Sequence, residues 1–391
     1  MIASAVDARL PMTSLLLGAD SRVAVDATQA RTYGLALALG LVHAGVDATT
    51  VTVVFRAANV HDLTAAHAFA LVLGYDVIAF GSQVLLGAGA DRWKLHGHAT
   101  RLGLLLCAAS VGCLGWHALA AMLLAGLGNA LFHLGAGALI LSRGLSQSAP
   151  SGVFVAPGVL GLAFGMTYGK LPDLGPVWPL AVLLVFSLMA TWQLTRTQSP
   201  LPGPQVREPA PAASRVGRLL WLTLSLLLVS VAVRSLVGFS AARGLVPSPW
   251  LFLGIPIGAF LGKALGGFVA DRVGWIETTA FALLASVPCI VFGARHTAIL
   301  LVGLCLFQMT MPVTLAAVAR LMPGRLSTAF GWTCLALIVG ALPTMFSATR
   351  SLCIRPVLAF WIILACAAVT LGLRQLGIQV RSRELRLGHN A

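Results

Sequence analysis

The chain reads as an all-α membrane protein of twelve transmembrane helices in two pseudo-symmetric six-helix bundles, and three observations predict this. Hydrophobic residues make up 58% of its 391 positions and charged residues only 10%, with a mean hydropathy of +0.91. So few charges cannot screen so much apolar surface in water. Apolar runs long enough to cross a bilayer core of about 30 Å, which takes roughly 20 helical residues, recur along nearly the whole length. Finally, a sequence motif repeats at an offset of 180 residues, once in each half.

In chain order the spans are expected at 34–55, 63–88, 102–116, 119–142, 151–169 and 174–194, then at 217–239, 250–270, 276–294, 297–319, 326–348 and 353–373. Residues 1–33 lack the basic start, apolar core and cleavage pattern of a signal peptide and are expected as a cytoplasmic tail. The third span is short and turns into the fourth at Trp116 and His117. Between spans six and seven, the stretch Thr195 to Arg215 is polar and Pro-rich; it cannot cross a bilayer and is expected as a linker over 195–216. The domains are therefore a six-helix bundle over 34–194, a second over 217–373, and a cytoplasmic tail over 374–391. Seven cysteines lie in or at the ends of apolar runs without CxxC spacing, which implies buried thiols and no zinc or disulfide framework.

A net charge of +14 raises the question of nucleic acid, but the distribution answers it. With the N-terminus inside, the inward segments carry most of the basic residues, among them Arg92, Lys94, Arg101, Arg143, Arg207, Arg218, Arg272, Arg320 and Arg325. The outward loops hold only Arg56, Lys170, Arg243, Arg295, Arg350 and Arg355. This is the positive-inside asymmetry, so the charge reports topology, both termini are expected in the cytoplasm, and no nucleic-acid partner is implied. The bias to Ala, Leu and Arg, with only three lysines, points to a bacterial inner membrane.

The repeat aligns "DVIAFGSQVLLGAGADR" at 76–92 with "PIGAFLGKALGGFVADR" at 256–272, pairing Gly87 with Gly267, Asp91 with Asp271 and Arg92 with Arg272. Gly allows close helix approach, and an aspartate near a helix end can accept hydrogen bonds from a neighbouring helix N-terminus and pair with arginine. "GAGADRWKLHGHATRLG" and "GGFVADRVGW" resemble the loop motif between spans two and three of the major facilitator superfamily, whose twelve spans, two parallel halves and central linker this chain also resembles. The resemblance implies that Gly87, Asp91, Arg92, Gly267, Asp271 and Arg272 form gating latches on the cytoplasmic side. The first copy also carries His96 and His98, so its latch is a candidate for pH sensitivity.

Ionisable groups at mid-depth are the functional candidates, because a charge in hydrocarbon costs about 3 kcal/mol on insertion scales and must face a cavity or a partner. His43 and Asp47 are four apart in span one and share a face, where the pair can hold or release a proton; with Asp76 they form the expected proton-coupling set. Gln83, seven residues after Asp76, is expected on the same face and at the repeat position of Lys263. Gln83, Asn129, His133, Arg234 and Lys263 are expected to line the substrate cavity. Each histidine has a plainer reading as a donor to a backbone carbonyl across a helix crossing, and Arg234 and Lys263 have one as snorkelling cations.

His43 and Asp47 in span one with "GNALFHLGAG" in span four look similar to the fosmidomycin-resistance type of efflux protein, with Leu134 where that branch has proline and Val46 where it has asparagine. "GVFVAPGVLG" at 152–161 is similar to a degraded antiporter motif, in which Ala156 replaces a glycine and Pro157 keeps the kink. The function this implies is a secondary active transporter by alternating access, a proton-coupled exporter of small organic or drug-like molecules, anionic ones included. The alternatives are proton-coupled uptake of an organic acid, siderophore-like chelate or vitamin, and transition-metal transport by His43, Asp47, Asp76 and His133. The partners are then a small-molecule substrate, protons and the bilayer, with no cofactor and a monomeric state. No nucleotide-binding, nucleophile-elbow or zinc-protease motif stands in the short loops, so an enzyme is not expected.

Overall fold

The computed structural model describes residues 19–171, 173, 175–196, 213–241, 249–293 and 296–388. The described residues form fourteen α-helices: α1 (Ala19–Val60), α2 (Ala65–Asp76), α3 (Gln83–Arg92), α4 (His96–Cys113), α5 (Ala118–Leu141), α6 (Ala149–Lys170), α7 (Trp178–Arg196), α8 (Ala213–Ser240), α9 (Pro249–Val273), α10 (Trp275–Phe292), α11 (Thr297–Gln308), α12 (Thr310–Leu321), α13 (Leu326–Met345) and α14 (Arg355–Gly388). Among the described residues there is no strand. Among the described residues ten spans are long and apolar enough to cross a membrane, two of them being α2 with α3 and α11 with α12. The shorter apolar stretch Trp178–Gln193 in α7, and α4, complete the twelve expected positions.

Two spans are interrupted. In span two a π-helical turn, Val77–Gly81, separates α2 from α3 directly after Asp76. In span ten the helix breaks at Met309; Pro312, three residues on, has no N–H to give the Gln308 carbonyl, so the ladder cannot run through. The ends differ from expectation too. Segment 19–33, expected as tail, is helical and continuous with span one, and α14 runs through most of the expected C-terminal tail. Linker residues 197–212 lie outside the described residues.

Within the first half α1 packs most extensively on α6, and α4 on α5. The close α1–α6 contact depends on absent side chains: a Cβ at Gly161 would sit 2.1 Å from the Ala44 carbonyl oxygen, and one at Gly165 would sit 2.6 Å from that of Ala48. In the second half α14 packs on α8 and α10. The halves meet through α6 on α9 and α3 on α13. These two pairings are equivalent under the internal repeat, since span two corresponds to span eight and span five to span eleven. All seven cysteines are free thiols.

Candidate functional site

At one end of the bundle the two repeat motifs form matching latches across the halves. Asp91, in the last turn of α3, accepts from the N–H groups of Ser327 (3.0 Å) and Thr328 (2.8 Å) at the start of α13, and from the Thr328 hydroxyl at 2.6 Å. Asp271, near the end of α9, accepts from the Ser148 N–H (2.8 Å), its hydroxyl (2.9 Å) and the Ala149 N–H (2.9 Å) at the start of α6. A carboxylate thus caps the positive end of a helix from the other half. Gly87 and Gly267 make this approach possible, since a Cβ there would come 2.7 Å from the Ser327 carbonyl oxygen and 2.5 Å from the Ala149 Cα.

The expected aspartate–arginine pairing does not form: among the described residues neither Asp91 nor Asp271 makes an ion pair with Arg92 or Arg272, and Arg272 is exposed with its guanidinium 3.4 Å from the Phe268 carbonyl oxygen. Buried helix N-termini supply better-aligned donors than long solvated side chains. The second latch recruits Arg320 instead, which stacks 3.9 Å over Trp275 while donating to the carbonyls of Leu145 (2.5 Å) and Ser146 (2.6 Å). Trp275 in turn donates to Asp271 at 3.0 Å. Arg320 reads in the sequence only as one more inward-side charge. In the first latch His96 Nδ1 lies 2.9 Å from the Ser327 hydroxyl and 3.8 Å from Asp91, and burial lowers its pKa from 6.5, Asp91 acting in the opposite direction.

Beyond the latches a central cavity of about 330 Å³ opens between the halves. α13 has its N-terminus in a latch and its last residue, Met345, on the cavity wall, so the cavity extends toward the end of the bundle opposite the latches. The lining is mostly apolar, and its ionisable groups are His43, Asp47, Asp76, His133, Arg234 and Lys263, with Cys334.

Three of these groups converge. Asp47 Oδ2 lies 3.1 Å from His43 Nε2, Asp47 Oδ1 lies 3.6 Å from His133 Nε2, and the two Nε2 atoms are 2.7 Å apart. The other nitrogen of each ring faces a carbonyl oxygen: His43 Nδ1 that of Phe154 at 3.1 Å, His133 Nδ1 that of Asn129 at 2.8 Å. A carbonyl only accepts, so both Nδ1 atoms carry hydrogen and both neutral rings would turn a lone pair toward the other. Two lone pairs and a carboxylate cannot face one another at these distances unless a cation lies between them. One proton on either Nε2 satisfies all three groups. Each histidine therefore makes both the plain carbonyl contact and a contact within the triangle.

Asn129 stands behind this triangle rather than on the cavity wall. Its amide donates to Asp47 Oδ1 (3.0 Å) and reaches Tyr75 (3.1 Å) and Thr50 (3.3 Å), while the Tyr75 hydroxyl meets Thr50 at 2.8 Å. Gly158 on α6 leaves the space that the His43 ring occupies, for a Cβ there would lie 2.3 Å from its Nε2. Among the described residues, His43, Asp47 and His133 are the one grouping whose ligand atoms, all within 4.8 Å of one another, suit a metal. Two imidazole nitrogens at about 2.0–2.1 Å from a tetrahedral ion stand roughly 3.3 Å apart, so the observed 2.7 Å fits a shared proton, and a metal would need the rings to part.

Gln83 is a correction. It does not line the cavity but is fully buried, its amide donating to the Ala79 carbonyl and its backbone packed on Gly331 of α13. Asp76 and Gln83 stay seven residues apart, but the π-turn takes more residues per turn than an α-helix, so Gln83 falls short of two full turns and leaves the face of Asp76. Asp76 faces the cavity, and no hydrogen bond or ion pair to it is formed among the described residues. Lys263 lines the cavity without its expected mirror. Arg234 does not snorkel outward: it is 3% exposed and donates to the Thr314 hydroxyl (3.0 Å) and Met311 sulfur (2.9 Å).

No protein-family model and no curated protein matches the chain. Solved structures do. A major facilitator superfamily transporter, FucP, in the outward conformation is similar over 88% of this chain and 99% of its own, with a TM-score of 0.64 at 14% identity. The chain has the major facilitator superfamily fold. The E. coli fucose:proton symporter FucP in a further crystal structure (TM-score 0.59, 13% identity, 88% and 98% of the chains) and a bacterial homologue of the iron transporter ferroportin in an outward-facing state (0.58, 17%, 90% and 99%) share it. In superfamily terms the latches lie between spans two and eleven and between spans five and eight, and the His–Asp–His triangle joins spans one and four.

Proposed function

We propose that the protein is a secondary active transporter that uses a proton gradient to move a small organic molecule across a bacterial inner membrane by alternating access. The observation that carries this reading is the proton-holding triangle of His43, Asp47 and His133 on the wall of a cavity that is latched at one end and extends to the other. The positive-inside pattern supports a cytoplasmic position for the latches, and on that reading the cavity faces outward. Asp91 and Asp271 hold that state, and their release opens the cytoplasmic side as the halves rock.

Export by proton antiport is the direction favoured by the span-five motif, whose Gly158 packs on the His43 ring and whose Gly152 packs on the Lys263 backbone. Proton symport of an organic acid is favoured by Arg234 and Lys263 in the same cavity. Metal transport is disfavoured by those two cations and by the 2.7 Å nitrogen separation. A solute found by thermal-shift screening is to be tested in proteoliposomes loaded with a pH-sensitive dye. Solute addition moves protons in the wild type and not in Asp47→Asn; solute flux indifferent to both the gradient and that substitution counts against the proposal.

A further inference from the structure

The wall charges of the cavity do not balance. The second half contributes Arg234 and Lys263, close enough to repel each other, and no carboxylate of that half lines the cavity. Arg234 spends only two contacts on protein, a hydroxyl and a thioether, and Lys263 makes no hydrogen bond or ion pair among the described residues. Burying such cations without an anion costs several kcal/mol each, of order of magnitude. The first half contributes Asp47 and Asp76. Asp76 has no partner among the described residues, and an unpaired buried carboxylate takes a proton rather than stay charged, so the standing charges are Arg234 and Lys263 against Asp47: with one proton in the triangle the walls carry two excess positive charges, and without it one.

Resting on the reading of the chain as a proton-coupled transporter, we infer that its substrate is a small organic monoanion seated between Arg234 and Lys263, and that this anion and the triangle's proton bind and leave together, making the transport a symport. The unloaded cavity holds the anion with one excess positive charge and the proton-loaded cavity with two, so the proton strengthens anion binding. By reciprocity, a proton that strengthens anion binding is itself bound more tightly when the anion is present. The body of the anion lies against Phe80, Val159, Leu162, Phe239 and Leu337, and the cavity of about 330 Å³ is at the small end for organic ligands. The titratable and charged groups near the triangle are Tyr75 and Asp76 on span two, Cys107 on α4, Arg234 and Lys263 across the cavity, and Cys334 on α13. Among them Asp76 has no partner among the described residues and is the other group that can take up a proton, so the His133→Gln variant is what separates the triangle from it.

The test uses the purified full-length protein in weakly buffered detergent, with benzenesulfonate and a panel of short aliphatic and aromatic sulfonates as probes and benzenesulfonamide as the uncharged twin. Sulfonates stay ionised throughout, so any proton taken up belongs to the protein. Sulfonates are expected to raise the melting temperature where the sulfonamide does not, and to take up a proton on binding, approaching one per protein at alkaline pH where the ligand-free triangle has lost it and falling toward zero at acid pH. Their affinity should rise up to tenfold per pH unit on acidification through the triangle's titration. His133→Gln should flatten that slope. Arg234→Gln should lose sulfonate binding, and Arg234→Lys, which keeps the charge, should retain part of it if Arg234→Gln fails to fold. The inference is overturned if no sulfonate in the panel stabilises the protein, if the sulfonamide binds equally, or if anion binding releases a proton. Proton flux coupled to an uncharged solute would retain the transporter and overturn the anion; proton-independent flux would overturn the reading beneath both.

Discussion

Replacing Asp271 with alanine removes one of the two carboxylates that cap a helix N-terminus across the halves, and on the proposed mechanism it weakens the latched state. Four donors converge on Asp271, but Trp275 Nε1 comes from its own half and stays beside it when the halves separate. The Ser148 N–H, Ser148 hydroxyl and Ala149 N–H cross between the halves and are lost. Each such hydrogen bond contributes about 1 kcal/mol net, and a capping carboxylate as a whole about 0.5–2 kcal/mol. With water able to replace part of this at a half-buried site, the closed state should lose about 1.5–3 kcal/mol, a shift of about 10- to 150-fold in the opening equilibrium. Hydrogen exchange at the other latch reads that shift away from the mutation. The Ser327 and Thr328 amides are bound to Asp91, so they exchange only when α3 and α13 part. If the halves move as rigid bodies, Asp271→Ala speeds exchange at Ser327 and Thr328 by the same 10- to 150-fold. Faster exchange at Ser148 and Ala149 alone would show that the latches open independently and would refute the argument.

Gly158→Ala places a methyl group 2.3 Å from the present position of His43 Nε2, so the ring must leave the triangle. A loss of about 1–3 kcal/mol in stability is expected, with loss of proton coupling in dye-loaded proteoliposomes; unchanged coupling would contradict the assigned role of His43. His96 lies at the start of α4, where burial lowers its pKa from 6.5 and so favours the neutral ring in the folded, latched protein. The folded state then binds fewer protons than the unfolded one below about pH 6.5, so this contribution is present above that pH and is lost as pH falls through it. A melting temperature that declines below about pH 6.5, with the decline flattened in His96→Gln, is the expected result; the same decline in both proteins would remove His96 from the account.

Hydropathy alone places the spans, because crossing a bilayer imposes a length and an apolar composition that any single helix must carry in its own sequence. The i, i+4 spacing likewise puts His43 beside Asp47, a property of one helix, and the repeat finds Asp91 and Asp271 because both halves preserve one local motif. Gln83 shows where this stops. Its face was set by a π-turn that no spacing rule reports, and the turn separated it from Asp76. Arg320 was indistinguishable from its basic neighbours until the fold placed it over Trp275.

The sequence by itself therefore determined the membrane class, the internal repeat with its two aspartates, and which ionisable residues fall within apolar spans. Only the tertiary structure decided that His43 and His133, 90 residues apart, meet at 2.7 Å with their outer nitrogens already committed, and that Arg234 and Lys263 face the same cavity without a carboxylate of their own half. Helix composition is a one-dimensional property, whereas a shared proton or an unbalanced charge exists only where packed helices bring distant side chains together in a medium of low dielectric.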